Sequence, residues 1–363
     1  MKKLKIGTVR FQDMVARAVK GASENKLLPI TSMMEIRMES NTLTLTTTDT
    51  ANTLQIIADK VEGEDFVTVV PVKLFSGIVG KLTSDSVELR LGDRELKVVG
   101  NGDYKIDLPQ DEDGVVQFPS FKFDKKGDGE TLNLTSIKDI LNINKASLAK
   151  TIDTPCLCGY YVGEKVITTD ENTICFNDME VMNGPFLISP EMMELLALSK
   201  DEKITWWYQD GYFLFETPGM VLYGAEHDGK DLFPAEEVMG YLDQEFTSKC
   251  AVPKVALQDC LDRLALFIEP YDKKGAYFTF TKDGVKVNSK KSSADETIPY
   301  TESKDFKPFM CCVDIPMMKA LVDANPSDSI EIWYGIEACI KLTSGKVTQV
   351  LALLEDEDMG QGG

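Results

Sequence analysis

The chain has 363 residues, of which 43% are hydrophobic and 9% aromatic, and its 39 Lys and Arg stand against 59 Asp and Glu, for a formal net charge of −20. That length suits two or three globular domains, and no apolar run is long enough to span a bilayer. So negative a balance excludes a surface that attracts nucleic acid indiscriminately. The opening Met1-Lys-Lys-Leu-Lys-Ile-Gly lacks the apolar segment and cleavage site of a signal peptide. It reads as a first strand, and a cytoplasmic location is expected.

In chain order, residues 11–20 carry helical apolar spacing, and residues 34–38 and 43–49 read as strands. A second helix is expected at 72–82, then paired strands at 87–91 and 95–99 around Gly92-Asp93. The order returns with a helix at 137–143, strands at 159–162 and 166–170, and a helix at 190–198. Strands at 204–208 and 212–215 follow, flanking Gln209-Asp-Gly211, a strong hairpin signal. A third pass has a helix at 255–261, strands at 277–280 and 285–289, a helix at 315–322, and strands at 330–334 and 338–342. Ser189-Pro190, and Asp314 ahead of Pro316, look like helix starts, because proline's missing N–H costs nothing in a first turn. A period near one third of the chain is too long for a solenoid and fits three small domains.

The charge is unevenly spread. Arg10, Arg17 and Lys20 share one side of the first helix, Lys73 and Lys81 lie on the second, and Lys138 and Lys145 repeat the arrangement. Acids gather at 62–65, 111–113, 243–245 and 355–358. Any one lysine reads as a solvated helix face; recurrence in successive repeats favours an acidic exterior with a basic inner surface. The eight cysteines show no disulfide framework and no metal-ligand spacing, so free thiols and no metal or cofactor are expected. The lone His227, beside Glu226 and Asp228, could act as an acid or simply be solvated.

At Lys26-Leu-Leu-Pro29-Ile30, followed by Leu43-Thr-Leu-Thr-Thr-Thr-Asp49, the chain resembles the bacterial DNA polymerase III beta subunit family, the sliding clamps. Val70-Pro71-Val-Lys-Leu74, the hairpin at 87–99, Tyr104-Lys-Ile106-Asp-Leu108-Pro109, Thr169-Asp170 and Asp231-Leu-Phe233-Pro234 continue the likeness in order. The divergence fits a distant member, with a phage origin one option. The resemblance implies an α+β fold of three repeated clamp-type domains, each with antiparallel sheets and two short helices, assembling as a ring. Boundaries are expected at 1–125, 126–246 and 247–354, with 355–363 as an acidic, glycine-rich tail that would be disordered.

The resemblance further implies a homodimer closed head-to-tail around duplex DNA, holding it without reading sequence. Channel candidates are Arg10, Arg17, Lys20, Lys26, Lys73, Lys138, Lys145 and Lys150. A pocket for short linear motifs of a polymerase and the clamp loader would use Leu157, Thr169, Asn172, Thr173, Ile174, Pro234 and Met239, with Val350, Leu351, Leu353 and Leu354 from the last strand. Tyr104 and Ile106 would meet Leu266 and Phe267 of a second copy. One departure stands out: the family's Gly-His-Arg-Leu after the second-domain aspartate is Glu171-Asn-Thr-Ile174 here. The rival readings are a non-DNA interaction scaffold and a metal-dependent nucleic-acid enzyme using acids such as Asp111 and Asp113; no catalytic motif supports an enzyme.

Overall fold

The computed structural model describes residues 1–111, 114–116, 118–151, 153–268, 275–289 and 294–355. A first pass runs β1 (Lys2–Gly7), α1 (Thr8–Ala18), β2 (Met33–Glu39), β3 (Thr42–Thr48), β4 (Asn52–Ala58), the short β5 (Glu62–Gly63), β6 (Phe66–Pro71), α2 (Val72–Val79), β7 (Ser86–Leu91), β8 (Glu95–Val99) and β9 (Asp103–Asp107). After the two-residue β10 (Gln110–Asp111) and β11 (Gly114–Val115) the order restarts. The second pass is β12 (Glu130–Asn133), α3 (Leu134–Ile143), β13 (Tyr160–Val162), β14 (Val166–Thr169), β15 (Thr173–Asn177), β16 (Phe186–Ile188), α4 (Pro190–Leu196), β17 (Lys203–Gln209), β18 (Tyr212–Thr217) and β19 (Met220–Ala225). Helix α5 (Ala235–Leu242) comes between passes. The third pass is β20 (Ser248–Pro253), α6 (Lys254–Ala265), β21 (Gly275–Phe280), β22 (Gly284–Ser289), β23 (Asp295–Pro299), the short β24 (Glu302–Lys304), β25 (Phe309–Asp314), α7 (Ile315–Ala324), β26 (Ser329–Tyr334), β27 (Cys339–Ser344) and β28 (Val347–Ala352).

Leaving aside the short strands and α5, each pass is strand, helix, four strands, helix, three strands. The pairing repeats as well. The first strand of a pass joins the last three, giving β1-β7-β8-β9, β12-β17-β18-β19 and β20-β26-β27-β28. The middle four form a second sheet: β4-β3-β2-β6, β15-β14-β13-β16 and β23-β22-β21-β25. Pairing is antiparallel, so alternate residues bury one face. The expected hairpin around Gly211 is present: Gln209 faces Tyr212, and Asp210 and Gly211 take φ of 52° and 83°, the left-handed conformations a two-residue turn needs. Asp314 caps α7 as expected, its carboxylate accepting the Met317 N–H at 2.9 Å.

The chain divides into two compact units, Met1–Ile137 with Glu191–Glu226, and Lys138–Pro190 with His227–Gly363. The middle pass is therefore shared. In the first unit its β19 pairs with β4 (Met220 opposite Ile56), fusing two four-stranded sheets into one of eight. In the second unit β15 pairs with β28 (Ile174 opposite Val350), and with β24 added the sheet has nine strands. The same rule made both joins: the fourth strand of one pass pairs with the eighth of the next.

In the first unit α1 buries Phe11, Met14, Val15 and Ala18 and leaves Val9 82% exposed. Phe11 meets Phe75 of α2 edge-on, with centroids 5.9 Å apart. The connector before β12 is fastened to the eight-stranded sheet. Phe121 stacks on Tyr223 at 4.6 Å, and Lys125 Nζ lies 2.6 Å from both Glu216 carboxylate oxygens and 4.9 Å from the centre of the Trp207 ring. In the second unit one core unites α6, α7 and the inner faces of both sheets, and a smaller cluster gathers under α5. No helix among the described residues is long and apolar enough to cross a membrane. Phe11→Ala should lower unfolding stability by about 3–5 kcal/mol, whereas Val9→Ala should stay within about 0.5 kcal/mol; urea unfolding of both variants checks the contrast.

Candidate functional site

The second unit holds a cavity of about 240 Å³ between α5 and one face of the nine-stranded sheet. Its floor is set by strand period. Ile174 and Val350 face each other across β15 and β28, and Cys339 faces Ala352 across β27 and β28, so these side chains share a face. Its wall is set by helical period: Pro234, Glu237, Val238 and Tyr241, at steps of three, one and three, line it from α5. Leu157 enters from the one-turn helix Pro155–Cys158. Glu236 and Glu237 in the first turn of α5 suit the positive end of the helix dipole.

A tight turn between β14 and β15 forms the cavity's lip. Asp170 Oδ1 accepts N–H bonds from Asn172 (3.2 Å) and Thr173 (2.7 Å) and the Thr173 hydroxyl (2.8 Å). Glu171 sits at φ 75°, a conformation a glutamate adopts only when its surroundings hold it. The same device stands in the first unit, where Asp49 Oδ1 accepts Asn52 N–H at 2.6 Å, Thr48 Oγ1 donates to Asn52 O, and Thr50 has φ 86°.

Of the residues expected in a partner pocket, Leu157, Thr169, Asn172, Ile174, Pro234 and Val350 line this cavity. Five do not. Leu351 alternates to the opposite face and is fully buried in the α6–α7 core, and Leu353 packs on that same core. Thr173 is 2% exposed and committed to the Asp170 turn. Met239 is off the α5 stripe and packs on the cluster beneath, and Leu354, which donates its N–H to Cys312 O, is also outside the lining. Sequence reading missed Glu237, Val238, Tyr241, Ala338, Cys339 and Ala352, and named Glu171 only as a departure. Helical spacing from Pro234 and period two along β28 would have found most of them.

The basic candidates fall into distinct states. Lys26, Lys138 and Lys150 are exposed and form no ion pair among the described residues, and Lys145 is exposed. Arg10 is exposed and donates to Asp59 O at 2.9 Å. Lys73 pairs with Glu24 at 3.6 Å with both side chains almost fully solvated, which ties up little of its charge. Lys20 lines a cavity of about 390 Å³ with Asp49, Glu191 and Glu194. Arg17 is the exception: its side chain is only 13% exposed, Nε donates to Leu198 O at 3.0 Å, and burial lowers its pKa against the pull of Asp13 and Asp201. Arg17 braces α1 against the end of α4 and does not present a free charge. The third pass presents even less, since Lys319 bridges Asp262 (2.6 Å) and Asp323 (3.1 Å), Arg263 pairs with Glu296, and Lys254 donates to Asn325 O at 2.5 Å.

Two of the sheet-edge strands bear on the expected contact between copies. β9 ends the sheet β5-β1-β7-β8-β9, and β23 ends β23-β22-β21-β25. On β9, Tyr104 is 38% exposed, but Ile106 is 1% exposed and points into the core, so it offers an interface only its backbone. Leu266 and Phe267, just past α6, are 82% and 48% exposed.

His227 is half-buried, with Nε2 donating to Pro155 O at 3.0 Å and its backbone N–H bonded to Leu187 O, a packing role beside Gly159. No group of three or more His, Cys, Asp or Glu converges to hold a metal among the described residues. Asp113 and residues 356–363 of the tail lie outside the described residues, as does the side chain of Asp111.

Residues 2–114 match the family described as the DNA polymerase III beta subunit, N-terminal domain. The whole chain superposes on solved bacterial structures of that class. Against a DNA polymerase III beta subunit of Eubacterium rectale the TM-score is 0.84 at 17% identity, covering 98% of this chain and 99% of that one. Against the beta subunit of Streptococcus pyogenes it is 0.87 at 14%, covering 98% and 100%, and against the DNA polymerase sliding clamp of Bacillus subtilis 0.86 at 14%, covering 98% and 99%. No curated protein sequence matches the chain. The architecture is thus that of a bacterial beta subunit from end to end. The sequence likeness to that family covers residues 2–114, and across the whole chain the likeness is one of fold.

The eight cysteines are free. Burial pushes Cys339, on the cavity floor, up to about 11, and it is 2% exposed, whereas Cys158 is half-buried. At pH 7.5 iodoacetamide should alkylate Cys158 at least roughly tenfold faster than Cys339. The Cys339 rate should climb with pH until its thiol ionises near 11; peptide mapping by mass spectrometry reads both.

Proposed function

We propose that this chain is a DNA sliding clamp: two copies close into a ring around duplex DNA and tether a polymerase and other partners to it. The observation that carries this reading is the pairing rule. The fourth strand of a pass pairs with the eighth of the next in β4–β19 and β15–β28. Continuing the rule leaves two edge strands without the partner that it assigns: the eighth of the first pass, β9, and the fourth of the third, β23. A second copy turned head-to-tail supplies the missing partner at each edge, and a two-fold axis makes that contact twice and closes the ring. Closure also relieves the aggregation risk of exposed edges. The three passes are then three domains, divided near 1–125, 126–246 and 247–354. Tyr104 at one edge, with Leu266 and Phe267 at the other, supplies apolar surface to the junction.

In this ring the exposed cations Arg10, Lys20, Lys26, Lys73, Lys138, Lys145 and Lys150 meet phosphates. They carry no base-reading geometry, so binding is sequence-independent and salt-sensitive. Arg17 serves the ring as a brace. The net charge of −20 keeps DNA off the remaining surface, so retention depends on encirclement more than on affinity. The cavity beside α5 takes a short segment of a partner.

The reading is tested by loading the protein on nicked circular duplex with a clamp loader. The protein should stay on the closed circle through gel filtration and be lost when the circle is linearised; equal loss from both forms would overturn the proposal. Leu266→Lys with Phe267→Lys should raise the dimer dissociation constant at least roughly tenfold in sedimentation, since two charges would enter an apolar contact. Neutralising Lys26, Lys138 and Lys150 to Gln should cut loading without changing the unfolding midpoint. It should also flatten the salt dependence, by about 0.9 in log–log slope for each phosphate no longer neutralised.

A further inference from the structure

The cavity beside α5 has an apolar floor and an acidic rim. Among its lining residues are two carboxylates, Glu171 and Glu237, and no Lys, Arg or His. Both carboxylates are exposed and come from different elements. Glu171 rides on the β14–β15 lip at φ 75°, exposed, and Thr154 Oγ1 approaches its Oε1 at 3.5 Å. Glu237 projects from the first turn of α5 at an exposed position, and Tyr241, one turn on, is 47% exposed and offers an aromatic ring at the same margin.

Resting on the reading of this cavity as a partner pocket, we infer that its occupant is a peptide segment in which an apolar or aromatic side chain is flanked by lysine or arginine. The apolar side chain fills the space over Ile174, Val238 and Val350. The flanking cations meet Glu171 and Glu237, with the Tyr241 ring as a further cation-binding surface. An acidic or charge-free motif gains only the first of these contacts, and an acidic one places like charges together. The carboxylates thus act chiefly as a filter among motifs that share the same apolar anchor.

The test is fluorescence polarisation with two labelled hexapeptides, Lys-Ser-Leu-Phe-Ser-Lys and Glu-Ser-Leu-Phe-Ser-Glu, titrated with the full chain. The lysine peptide should bind roughly three- to tenfold more tightly, the range expected of two solvent-exposed charge pairs. The gap should close in 1 M salt, where the Debye length falls to about 3 Å. It should also close in Glu171→Gln/Glu237→Gln, and Glu171→Lys/Glu237→Lys should invert it. Tyr241→Ala, an exposed position, should weaken both peptides and so locate them in this cavity. Equal binding of the two peptides, or tighter binding of the glutamate peptide, overturns the charge inference and leaves the partner pocket standing. If neither peptide binds while the protein is still retained on circular DNA, the pocket reading itself falls and takes this inference with it.

Discussion

The structure depends on strand pairing between successive passes of the repeat. A four-stranded sheet with two open edges leaves a row of unpaired N–H and C=O groups at each edge. Here β4 is completed by β19 and β15 by β28, so each pass covers an edge of the one before it. This explains why the middle pass has no compact unit of its own: β12 and β17 to β19 extend the first pass, while β13 to β16 extend the third. It also explains the cavity, whose floor lies on the β15–β28 seam. A polypeptide cut between passes would lose both the edge cover and the pocket floor.

The seam must hold one register, because a slip of one residue would exchange Val350 for Leu351 on the cavity face. Buried polar groups fix it. Gln349 Nε2 donates to Leu321 O at 2.9 Å, its Oε1 accepts Asn325 Nδ2 at 3.1 Å, and Cys175 opposite it accepts from Ser147 Oγ at 3.3 Å. Asn144 Nδ2 reaches Cys175 O at 3.1 Å, and Thr168 Oγ1 donates to Asn144 O at 2.7 Å. In a different register Gln349, fully buried, would lose these partners at a cost of about 1–3 kcal/mol for each orphaned group. Burial raises the Cys175 pKa to about 11, so it stays a neutral thiol and puts no buried charge at the seam.

Much of this architecture was legible because it is local. Helical spacing located α1, α2, α3, α4, α6 and α7, and the Gln209-Asp210-Gly211 turn marked the β17–β18 hairpin. The joins between passes were not legible, since β4 and β19 are separated by more than a hundred and fifty residues and nothing in either strand names its partner. The pocket was half legible. Leu157, Thr169, Ile174 and Val350 came from likeness to the family, but that route brought in Leu351 and Met239, whose position one residue along turns them elsewhere. Helix α5 escaped notice because it is short and opens on Phe233-Pro234, which reads as a loop, and its Glu237 and Tyr241 were missed with it.

Charge on the helices follows from competition within the chain. With 59 acids to 39 bases, a cation near a carboxylate is the rule, and the third pass shows the result in Lys319 and Arg263, both held by carboxylates. Such pairs contribute little to stability when exposed, yet they lower the charge a passing phosphate meets. In the first two passes Lys26, Lys138 and Lys150 form no ion pair among the described residues. Their freedom depends on where the acids are placed more than on how many lysines there are. In a ring of the kind proposed, this distribution would suit a loose hold on DNA: a few unpaired cations would steady the duplex, and the surrounding negative surface would keep any one of them from fixing it in place.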